Sequence, residues 1–102
     1  METSFRFRNK EYSLQVNGTA EGEGEFKKCP AVVSSEGTTY QGIFKLTPAA
    51  WEFATRKSQE RKRPIEEVLG QAGISVLKAE LFIRQIPDGF TYVVDHRFFE
   101  DL

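Results

Sequence analysis

The N-terminal part of the chain alternates. Phe5 and Phe7 are separated by Arg6 and followed by Arg8, the period of a half-buried strand. Residues 9–11 read as a turn. Tyr12, Leu14 and Val16 then alternate with Ser13 and Gln15, predicting a second strand that ends at Asn17-Gly18, a hairpin signal. In residues 19–25, Glu21, Glu23 and Glu25 alternate with Gly22 and Gly24. That stretch is either a mobile loop or an edge strand weakened by glycine. Apolar content returns with Ala31, Val32 and Val33, and Pro30 argues for an edge or a bulge. After a turn at 34–37, residues 38–46 form a strong strand pattern with Tyr40, Phe44 and Leu46 on one face.

The pattern then changes period. Thr47 suits an N-cap and Pro48 the first helical position, with Leu46 and Trp51 spaced for a hydrophobic staple. Glu52 and Arg56 are four apart in the favourable order. This helix should fade before Pro64, because a proline disfavours helical geometry at the preceding residue. A second, short helix is expected from Pro64, with Ile65, Val68, Leu69 and Ala72 on one arc and Gly73 as its C-terminal stop. Residues 74–86 place Leu77, Ala79, Leu81 and Ile83 on one strand face. Residues 87–89 form a turn, and 90–99 read as the returning strand of a C-terminal hairpin. The expectation is one α+β domain over 1–102. It has a mostly antiparallel sheet of about five to six strands and two short helices, in the rough order ββββααββ.

Composition narrows the picture. A chain of 102 residues has the size of one domain, and 39% apolar with 28% charged residues is a globular balance. The net charge of −1 supplies no general pull toward nucleic acid or an anionic membrane. One cysteine, Cys29, cannot form an internal disulfide, and Met1 to Arg6 lacks the apolar run of a signal peptide. Both point to a cytoplasmic protein with no membrane attachment.

Candidate chemistry is sparse. Asp95 and His96 are adjacent, but strand neighbours point to opposite faces, so no dyad is expected. Cys29 beside Pro30 reads as an inert thiol. The three glutamates of 21–25 lack the spacing of a calcium loop and read as a charged edge. No catalytic residue, cofactor or metal site is assigned. The strongest charge feature is Arg56, Lys57, Arg61, Lys62 and Arg63, five cations interrupted by a single acid, Glu60. They are the candidate phosphate contacts, joined by Lys27, Lys28 and Arg84. On a continued helix, however, they spread roughly all round the axis instead of forming a stripe.

Apolar residues at consecutive positions are the other clue. Leu81-Phe82-Ile83, Tyr92-Val93-Val94 and Phe98-Phe99 suggest strands covered on both faces. A second copy docking on the C-terminal hairpin through Phe82, Val93, Phe98 and Phe99 would account for them. The reading is a small non-enzymatic interaction module that binds itself or another protein. The alternative is nucleic-acid binding through the basic segment.

Overall fold

The computed structural model describes residues 2–100 and 102, with Glu23 described by its backbone alone. It is an α+β fold in which two helices cover one face of a mostly antiparallel sheet. Strands β1 (Glu2–Phe7), β2 (Lys10–Val16), β3 (Glu21–Glu23), β4 (Phe26–Ser35) and β5 (Thr38–Leu46) come first. Helices α1 (Pro48–Arg61) and α2 (Ile65–Leu81) follow, then β6 (Phe90–Val94) and a 3₁₀ turn, His96–Phe99. The sheet order is β1-β2-β4-β5-β6, with β3 beside β4. All pairings are antiparallel except β5 with β6, which the two helices connect as a parallel crossover.

Alternation sets the core. Phe5, Leu14, Val16, Cys29, Ala31, Val33, Phe44, Leu46, Phe90 and Val94 point to the helices and are buried. The intervening residues form the opposite face, which no described element covers. On it Lys45 sits over the ring of Phe26, with 5.1 Å to the centroid.

Several local expectations are met and others corrected. Thr47 caps α1, its hydroxyl accepting from the Ala50 N–H at 3.2 Å. The helix ends at Lys62, in the left-handed region at φ 54°, with N–H groups of Lys62 and Arg63 returning to Gln59 and Ser58 carbonyls. The Glu-Gly stretch is a short strand paired to β4. Asn17-Gly18 does not turn a hairpin. The chain leaves β4 over residues 17–20 and rejoins it as β3 on the same side. This interruption explains Pro30 inside an interior strand. The Pro30 carbonyl accepts from the Asn17 N–H at 2.9 Å, and with no N–H to return Pro30 closes the β2–β4 ladder at the point where the chain leaves it.

The main correction is at the C-terminal third. Residues 74–81 continue α2, so the predicted hairpin of two strands does not exist. Gly73 is no stop. A Cβ there would lie 2.8 Å from Leu14 and 3.2 Å from Phe44, so the glycine lets α2 approach the sheet. The returning strand is shorter than expected, ending at Val94 before the 3₁₀ turn. Among the described residues no helix is long and apolar enough to cross a membrane.

Candidate functional site

The C-terminal end of α2 carries the most exposed large apolar side chains, Phe82 at 68% and Ile83 at 70%. Phe82 meets Phe7 edge to face with ring centroids 5.0 Å apart. The Arg8 guanidinium lies 5.1 Å from the Phe7 centroid and 5.4 Å from that of Phe82. Arg8 and Asn9 form the β1–β2 turn, both at positive φ (48° and 67°), as a two-residue hairpin turn requires. The left-handed backbone lifts Arg8 off the strand and over the two rings. The sequence had placed Arg8 with Arg6 on one strand face, and a turn one residue earlier than expected removes it from there.

Among the described residues the other exposed large apolar side chain is Val93, at 56%, on the uncovered face of β6. Phe99 is fully buried and Phe98 half-buried against the core. Of the four positions expected to self-associate, Phe82 and Val93 are thus on the surface. They belong to different elements and not to one hairpin.

The basic segment is divided by the end of α1. Arg56 lies over the Phe53 ring at 4.6 Å and 3.7 Å from Glu60. Lys57 donates to the Leu102 carbonyl at 2.7 Å. Arg63 grips Glu67 with two hydrogen bonds, which raises the arginine and lowers the carboxyl from their ordinary values. Arg61 and Lys62 are exposed and donate no hydrogen bond to an acid among the described residues. Arg84 pairs with Glu80 at 4.0 Å and follows the other end of α2, whose 17 residues put about 25 Å of helix between it and the basic segment. Lys27 and Lys28 lie in β4, within the sheet.

The remaining candidates settle into structural roles. Asp95 starts the 3₁₀ turn. Its carboxylate accepts from the Arg97 N–H at 2.9 Å and from the guanidinium at 2.7 Å, which holds it below the usual carboxyl range. His96 is not on a strand. It stacks on Phe53 and its Nε2 lies 3.5 Å from Glu100. Cys29 has no exposed surface, and burial pushes its thiol up to about 11. Glu21 and Glu25 are exposed, and the Glu23 side chain lies outside the described residues. No metal-holding group of acids, histidines and cysteines occurs among the described residues.

The clefts on the surface include two of differing size. The larger, about 470 Å³, lies beside the β2–β3 interruption, with Gln15, Asn17, Pro30, Val32, Gln41 and Glu66 around it. The smaller, about 250 Å³, lies between the β4–β5 turn and the end of α2, lined by Lys10, Tyr12, Tyr40 and Gln85 among others. In neither do two carboxylates line the wall together. No protein-family model, curated protein or solved structure matches the chain.

Proposed function

We propose that the chain is a non-enzymatic interaction module that associates with a second copy of itself. The observation that carries this is the exposure of Phe82, Ile83 and Val93, three large apolar side chains that the helices and sheet leave in water. Each keeps apolar surface in water that a docked partner could remove. Each of the two clefts has one carboxylate in its lining, Glu66 in the larger and Glu36 in the smaller, and neither lining presents the facing pair that carboxylate acid–base chemistry uses. A domain with a single, buried thiol suits the cytoplasm.

Sedimentation velocity over a wide concentration range tests the proposal. A mass that rises from one chain toward two with concentration is the expected result. A single-chain mass throughout would sink it.

Nucleic-acid binding is the second reading, and Arg61 and Lys62 favour it, as exposed cations at the end of α1. It has less support, because three of the five cations in the segment are engaged by groups of the chain itself.

A further inference from the structure

We infer that the partner copy docks on the outer edge of β6, extending the sheet across a two-fold axis at Tyr92. The inference rests on the self-association reading above and names its surface.

The sheet has two long margins, β1 and β6. Edge strands expose unpaired backbone groups, and proteins guard them with charges, prolines, bulges or a covering element. The β1 margin is guarded: it carries Glu2 and Arg6, and Arg6 is held by Glu11 at 2.6 Å. The β6 margin has none of these devices. Its sequence, Phe-Thr-Tyr-Val-Val, has no charge and no proline. Among the described residues, the elements that pack most against it are β5 along one side and α2 on one face.

The hydrogen-bonding direction can be read off. The Val94 carbonyl accepts from the Thr47 N–H at 3.1 Å, so Val94 faces the β5 side. By alternation Phe90 and Tyr92 face β5 as well, and the N–H and C=O groups of Thr91 and Val93 face outward. Those two residues also point their side chains to the uncovered face, where both are exposed.

This arrangement is self-complementary. In an antiparallel pair centred on Tyr92, Thr91 lies opposite Val93 of the second copy, and the reverse. Both pairs then exchange their two N–H···O bonds. Each Val93 packs against a threonine across the seam, a pairing of β-branched residues that sheets favour. No like charges meet at the axis, because β6 carries none. An isologous contact of this kind closes at two copies and leaves no β6 edge to extend further. The Phe82 corner is a weaker choice, since Phe7 and Arg8 already pack on that ring.

The test uses the full chain with exposed residues changed, so the fold is kept. Thr91→Cys and Val93→Cys proteins are mixed in equal amounts under mild oxidation. Directly opposed residues lie about 5.5 Å apart between Cα atoms, within disulfide range. Two copies of the same variant place their cysteines about 8 Å apart, beyond it. The expected product is therefore the mixed dimer, formed far faster than either homodimer. Cys29 does not compete, being buried. Val93→Lys should weaken dimerisation at least about tenfold by guarding the edge. Phe82→Ser should leave it intact. Amide exchange at Thr91 and Val93 should slow as concentration rises. A dimer that persists in Val93→Lys and yields no mixed disulfide overturns the β6 assignment while leaving self-association standing. A wild-type chain that sediments as one copy at every concentration removes both.

Discussion

At the scale of single residues, three positions show how local contacts decide outcomes. Gly42 on β5 lies under the Phe90 ring, and a Cβ there would come 2.3–2.4 Å from ring carbons. Both partners sit in the parallel β5–β6 pair, so the ring has to move or the strands part. Gly42→Ala should cost about 1–3 kcal/mol, the usual range for overpacking a core, and urea unfolding would show it as a lower midpoint. Cys29 illustrates the opposite case, a reactive group silenced by its surroundings. With its thiol raised to about 11 and no exposed surface, it should resist a thiol reagent at pH 8 in the folded chain. Reaction should follow global unfolding, so its rate should rise with urea. Asp95 links a contact to pH. Its folded-state carboxyl lies below the ordinary value because of Arg97. It therefore contributes stability above the unfolded-state value, and that contribution is lost as pH falls through the folded one. Asp95→Asn keeps a capping oxygen for the Arg97 N–H but removes the charge. The variant should be less stable than wild type at neutral pH, and the gap should close on acidification when thermal melts are compared across pH.

At the scale of elements, α2 holds the clearest lesson in what its residues reveal. Its start was legible, because Ile65, Val68, Leu69 and Ala72 share one helical stripe, and all but Ile65 are fully buried. Its continuation was not. Leu77, Ala79, Leu81 and Ile83 satisfy a strand period, while Val76 and Leu77 satisfy the helical one, and a short window cannot separate the two. Gly73 tipped the reading toward a stop, when its role is to let α2 lie against Leu14 and Phe44. A distant partner settled the matter, and no local signal contains it. The strands of the N-terminal half and the Thr47 cap were legible because alternation and capping are local. Of the candidate surface, Val93 and the uncharged β6 were in plain view. The Arg8–Phe82 contact was not, since it joins a turn to the end of a helix some seventy positions later. The two buried glycines of α2 give opposite predictions. Gly73→Ala meets two core side chains and should destabilise by about 1–3 kcal/mol. At Gly70 the close atom is the Thr3 hydroxyl, 2.9 Å away, which rotation about a single bond can move. There the helix preference for alanine should prevail, and Gly70→Ala should stabilise by up to about 1 kcal/mol. Parallel urea titrations would check both signs.

At the scale of the whole molecule, the charge layout bears on nucleic acid more than any single cation does. A chain with net charge −1 has no overall field for a polyanion, so binding would have to come from a local group of free cations. The segment 56–63 offers the best one, and the fold disperses it. Arg56 and Arg63 face acids, and Lys57 reaches a main-chain carbonyl. Arg84 lies beyond the far end of α2. Arg61 and Lys62 are left, and two phosphate contacts give a salt slope of only about −1.4 on a single strand. Fluorescence anisotropy with single-stranded and duplex oligonucleotides, repeated over several salt concentrations, should therefore show weak association at low salt and none near physiological salt. Replacing Arg61 and Lys62 by alanine should abolish what remains. A slope several times steeper, lost only when Arg56, Lys57 and Arg63 are also replaced, would mean that these side chains leave their partners for phosphate. The nucleic-acid reading would then displace the self-association one. The same titration run on a cross-linked Thr91→Cys/Val93→Cys mixed dimer would separate the effects of charge and copy number. Two copies joined at β6 present two Arg61–Lys62 pairs, so a polyanion long enough to span both should bind with about twice the salt slope of the single chain.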